Sequence, residues 1–168
     1  LDSSFNEWVN TTTYFAKKYL DLGYKVILLG QSMGGATTIA ATARIDLKNI
    51  IPCIILWSPG VNDVDFKGGS EEVFEEGGQI YKGKFWIEAQ RNEIIKCLEE
   101  YEGKIHLVYG ESDKFISQEL RDKTIQIVKD KGQQFMILKG QDHSSWEFKK
   151  SQEVFEEELK LIKYSFEL

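Results

Sequence analysis

Residues 24–44 constrain this 168-residue chain more than any other stretch. "YKVILL" is an almost unbroken apolar run, "GQSMGG" interrupts it, and "ATTIAATAR" continues in small residues that a helix accepts. A strand that is apolar on both faces belongs in a sheet covered on both sides, the usual situation of parallel strands. Leaving such a strand for a helix within a few residues takes a tight turn, which glycine permits. The stretch therefore calls for layered α/β structure and puts Ser32 where strand becomes helix. Two readings of Ser32 are open at this point: a nucleophile held on a sharp turn, or a structural serine in a connecting loop.

The rest of the chain repeats the alternation. Residues 4–22 have a helical apolar stripe through Phe5, Trp8, Val9, Thr12, Phe15, Ala16, Tyr19 and Leu20, with Ser4 and Glu7 at capping-box spacing and Gly23 as the stop. "IIPCIILW" (50–57), "KIHLVYG" and "QQFMILKG" read as further strands, with Pro52 near the start of its strand. "FWIEAQRNEIIKCLEEY" reads as a helix, as do the segment from Ser117 to Gly132 and most of the chain from Trp146. Such alternation predicts an α/β fold, a three-layer α/β/α sandwich with a mostly parallel sheet, in a single domain spanning 1–168. Residues 58–84 stand apart, rich in glycine and charge, and read as a small lid or a solvated insertion. Within them "EEVFEE" reads as a solvated helix turn.

Composition removes several function classes. The formal charge is −6 with both signs interspersed, and no basic patch with interleaved aromatics points to nucleic acid. No apolar window is long enough for a membrane span, and no signal-peptide pattern opens the sequence. The two cysteines, Cys53 and Cys97, and the two histidines, His106 and His143, lack metal-ligand spacing. Both cysteines read as inert, which suits a reducing, cytoplasmic setting, and no metal or organic cofactor is implied.

In an open α/β sheet reactive groups gather beyond the C-terminal strand ends. Three ends carry chemistry: Gly30-Gln31-Ser32-Met33-Gly34, Gly110-Glu111-Ser112-Asp113 and Gly140-Gln141-Asp142-His143. Gly30 and Gly34 bracket Ser32 as the glycines of a strained elbow, where side chains would clash, and Gly35 and Ala36 let the following helix pack near the sheet. Serine is a weak nucleophile until a base takes its proton and a carboxylate orients that base. His143 and Asp113 fit these roles; Glu111 reads as a solvated loop charge, Asp142 as a turn-former, and His106, inside a strand, as a core histidine.

At these residues the chain resembles the α/β-hydrolases, specifically the C-terminal portion of the branch holding serine aminopeptidase-like proteins, monoacylglycerol lipases and feruloyl-esterase-like enzymes. "LLGQSMGG", "LVYGESDKFIS" and "LKGQDHSSW" carry the resemblance, "GKFWIEAQRNEIIKCLEEYEGKIHLVYG" also looks like that branch, and together they extend it over essentially the whole chain. The resemblance implies Ser32 as nucleophile, Asp113 as acid, His143 as base and the Met33 N–H as one oxyanion donor. In that family the sheet starts earlier, and a loop often containing His-Gly gives the second oxyanion donor. No segment before Ser32 has that form, so the second donor is not in this sequence, and the chain reads as a fragment in preference to a reduced hydrolase.

The expected function is a serine hydrolase cleaving small-molecule carboxylic esters. The alternatives are an aminopeptidase or amidase, and a non-catalytic module that binds a small ligand or protein partner. Trp57, Phe66 and Trp86 either line an acyl pocket or pack beneath residues 58–84. The first strand, if left at a sheet edge, offers a route to a homodimer.

Overall fold

The computed structural model describes residues 4–61, 66–76 and 78–166. Helix α1 (Phe5–Asp21) opens on the capping box: the Glu7 N–H donates to the Ser4 hydroxyl while the Ser4 N–H donates to the Glu7 carboxylate. The chain continues through β1 (Leu28–Gln31), α2 (Met33–Thr42), β2 (Cys53–Trp57), β3 (Val73–Glu76) and β4 (Gln79–Lys82). Then come α3 (Gly83–Arg91), α4 (Ile94–Glu100), β5 (Lys104–Gly110), α5 (Gln118–Asp130), β6 (Gln134–Leu138) and α6 (Phe148–Ser165).

Strands β1, β2, β5 and β6 form one sheet in that order, every neighbouring pair parallel. Strand parity divides the core. Ile54 and Leu56 of β2 join Ile105, Leu107 and Tyr109 of β5 in the larger cluster, with residues of α1 to α5. Cys53 and Ile55 face the other way onto Leu161 of α6, as Val108 and Leu138 do onto Val154. The expected three layers and parallel sheet are thus present, and all four C-terminal strand ends lie along one edge.

Four expectations change. Strand β1 begins at Leu28 rather than Tyr24, and two-sided burial fails because β1 is the sheet's edge, leaving Leu29 49% exposed. The helix expected over 85–101 is two helices, broken where Glu93 turns left-handed, φ 47°. A polar knot holds that break: Asn92 Nδ2 donates to Glu88 O and to Asn6 Oδ1, and Arg44 Nη2 donates to Asn92 Oδ1. "EEVFEE" contains β3 rather than a helix turn, and pairs antiparallel with β4 so that Phe74 lies opposite Tyr81. The 58–84 segment therefore carries a hairpin; its residues 62–65 and 77 lie outside the described residues.

Beneath α6 the buried Glu158 accepts from Trp57 Nε1 at 2.6 Å and lies 3.5 Å from Nδ1 of His106, which sits in the core as expected. Burial pushes the nearby Cys53 thiol up to about 11, with Glu158 adding to the effect, so at neutral pH it is protonated and a poor nucleophile. No helix among the described residues is long and apolar enough to cross a membrane.

Candidate active site

Ser32 occupies the single residue between β1 and α2, with φ 53° and ψ −124°. A non-glycine residue held there carries strain of about 1–3 kcal/mol, so its surroundings must over-determine it. They do. The Ser32 N–H donates to Trp57 O at 2.9 Å, and the Ser32 carbonyl accepts from Gly35 at 2.9 Å, Ala36 at 3.3 Å and Gly60 at 2.9 Å. Its side chain makes no cap bond to α2, and the residue lines a cavity.

The elbow glycines divide differently from expectation. A Cβ on Gly30 would stand 2.2 Å from Gly34 O and 2.5 Å from Thr38 Oγ1, so only glycine fits. A Cβ on Gly34 would meet nothing within 4 Å; the tight second position is Gly35, whose Cβ would stand 2.7 Å from Pro59 Cβ. Gly34 is thus a cavity-lining residue, and Gly35 is where the helix packs tightly on Pro59 of the neighbouring loop. The Met33 N–H opens α2, where the first N–H groups have no intrahelical acceptor. Gly60 keeps the space beside it clear, since a Cβ there would stand 3.6 Å from Met33 N and 3.1 Å from Met33 Sδ.

Asp113 lies buried beyond β5 with both oxygens committed. Oδ1 accepts from the Phe115 N–H at 2.9 Å and the Ile116 N–H at 3.0 Å; Oδ2 lies 2.9 Å from Nδ1 of His143. His143 sits beyond β6, its ring mostly shielded and lining the cavity that Ser32 lines. The rival carboxylates have other partners. Glu111 Oε2 accepts from Gly140 N, and Asp142 Oδ1 accepts from the His143 N–H at 2.7 Å. That backbone bond is the main cause holding the Asp142 carboxyl below the usual range, with Lys114 contributing.

Backbone stitching joins the Asp113 and His143 loops: Ser112 N donates to Gln141 O at 2.8 Å and Glu111 N to Leu138 O at 3.0 Å. Gly110 makes this approach feasible, because a Cβ there would stand 2.2 Å from Asp142 O and 2.4 Å from Gln141 O.

Three supporting residues escape a motif search. Arg121 is buried on the stripe it shares with Thr124 and Val128, and its Nη1 donates to Gly110 O at 2.9 Å and Glu111 O at 3.1 Å, bracing the turn before Asp113. The only sequence signal is an arginine at a core-facing helical position. Tyr109 donates its hydroxyl to Pro59 O at 3.2 Å, pinning the turn that clasps the elbow, and burial pushes its ionisation upward. Phe115 lies against the His143 ring.

The cavity measures about 950 Å³. Trp8, Phe66, Phe74, Tyr81 and Trp86 give it an aromatic lining, with the hairpin supplying Phe74 and Tyr81. Phe66 and Trp86 thus line the cavity as one of the two readings expected. Trp57 does not. Parity on β2 turns it to the α6 face, where it packs on Trp146 and Phe155 and donates to Glu158. Among the described residues no group of three or more His, Cys, Asp or Glu side chains is placed to hold a metal ion.

No family model and no curated protein matches this sequence. Solved structures do. Est1E from Butyrivibrio proteoclasticus superposes with a TM-score of 0.77 at 18% identity, over 96% of this chain and 72% of that one. The Paleococcus ferrophilus monoacylglycerol lipase gives 0.72 at 17% identity, over 96% of this chain and 76% of its own. The esterase domain of a Rhodothermus marinus protein gives 0.64 at 18% identity, over 97% of this chain and 69% of that chain. With its parallel sheet between helical layers and its left-handed serine between the first strand and the second helix, this chain has the α/β-hydrolase fold.

Proposed function

We propose that this chain is a serine hydrolase that cleaves carboxylic esters through Ser32, His143 and Asp113. One observation carries the reading: the 2.9 Å contact between Asp113 Oδ2 and His143 Nδ1, in a ring that shares a cavity with a serine on a left-handed elbow. Likeness to proteins described as an esterase, a monoacylglycerol lipase and a puromycin-hydrolyzing peptidase supports the hydrolase part of it. Two unpaired cysteines support the reducing, cytoplasmic setting that belongs to the same reading.

The mechanism follows from donor and acceptor inventory. An ionised carboxylate only accepts, so Nδ1 of neutral His143 carries the proton and Nε2 is left as the base. As Ser32 Oγ attacks the ester carbonyl, its proton passes to Nε2. The carbonyl oxygen becomes an oxyanion beside the Met33 N–H at the positive end of α2. Collapse expels the alcohol with the proton from Nε2, leaving an acyl-Ser32. Water then attacks that acyl group, gives its proton to Nε2, and the acid leaves as Ser32 Oγ recovers the proton.

Mixing the chain with excess p-nitrophenyl butyrate is expected to release p-nitrophenol in a burst of about one equivalent per chain, followed by slower turnover, the kinetic mark of an acyl-enzyme. Stopped-flow absorbance reads both phases. Release no faster than buffer alone contradicts the reading.

A further inference from the structure

Phe115 is a large apolar side chain left 62% exposed, on the loop just beyond Asp113. It is nevertheless held in place. Its N–H donates to Asp113 Oδ1 at 2.9 Å, so the carboxylate that grips His143 also fixes the Phe115 backbone. Its ring centroid lies 5.1 Å from that of His143, the planes at 45°, and it lines the cavity shared by Ser32 and His143.

We propose that Phe115 is a positioning residue that braces the His143 ring and stabilises its protonated form through the phenyl π-system. The inference rests on the serine-hydrolase reading, in which His143 becomes an imidazolium each time it takes the Ser32 proton. The face of an aromatic ring attracts a cation held over it within about 6 Å of the centroid, and the two ring centroids lie 5.1 Å apart with the planes tilted rather than edge-on. Asp113 grips the imidazolium at Nδ1 and Phe115 lies against the ring, so charge created at Nε2 meets a carboxylate and an aromatic quadrupole together. Among the described residues, the other ionisable groups nearby include Asp142, which accepts the His143 backbone N–H, Lys114, which faces Asp142, and Glu75, which lines the cavity from the hairpin.

Progressive fluorination of the ring tests this, because fluorine weakens the quadrupole with little change of shape. Phe115 is replaced by mono-, di- and trifluorinated phenylalanine, and Phe115→Leu removes the ring. An NMR titration of the His143 ring needs no substrate. The expected result is a protonation equilibrium that weakens with each fluorine and by about two- to fivefold in Phe115→Leu, with kcat on p-nitrophenyl butyrate falling in the same order. A titration unmoved across the series overturns the proposal even if esters are turned over. A graded titration without turnover supports the Phe115–His143 interaction while the hydrolase reading fails.

Discussion

Ser32→Ala is expected to lower kcat on p-nitrophenyl esters by about 10⁶-fold while the chain keeps its fold. The loss is chemical, because the alanine variant retains every backbone bond that Ser32 makes to Trp57, Gly35, Ala36 and Gly60. A companion variant separates chemistry from stability. With φ 53° the position favours glycine, so Ser32→Gly is expected to be equally inactive yet more thermostable, relieving up to about 1–3 kcal/mol of strain. Scanning calorimetry beside the rate assay checks the pair. A serine that merely closed a turn would predict the same gain in stability with turnover untouched.

Asp113→Asn is expected to lower kcat about 10⁴-fold with KM nearly unchanged. The direction follows from the partners of the two carboxylate oxygens. Phe115 and Ile116 present N–H donors to one side of Asp113, so the asparagine carbonyl must stay there. The amide NH₂ then faces Nδ1 of His143, where the wild-type oxygen accepts. Nδ1 must become the acceptor, which moves the ring proton to Nε2, and a protonated Nε2 cannot take the Ser32 proton. Steady-state kinetics and the chemical shifts of the His143 ring nitrogens report the rate and the tautomer separately. Near-wild-type kcat in this variant would mean that another carboxylate orients the ring; Asp142 is the nearest in sequence.

The local features of this chain were legible because their causes are local. Ser4 and Glu7 announce a capping box within one turn, and "KIHLVYG" is bounded as β5 by its own apolar run. Ser32, Asp113 and His143 could be singled out because each follows a strand end, and parallel pairing brings those ends to one edge. What escaped was set by distant partners. Phe74 joins a strand because Tyr81 lies opposite and Phe66 packs on it, which "EEVFEE" alone does not reveal. Trp57 misses the cavity because the register of β2 turns Cys53, Ile55 and Trp57 toward α6. Gly34 has no clash to avoid because Pro59 arrives beside Gly35 instead, and Arg121 matters because Gly110 O and Glu111 O end where its guanidinium lies.

The most direct test of the central claim is covalent. The chain is treated with a fluorophosphonate, digested and mapped by mass spectrometry. A nucleophilic serine at this elbow predicts one adduct per chain, on Ser32, formed far more slowly in Asp113→Asn. An unlabelled chain, or label on a different serine, contradicts it.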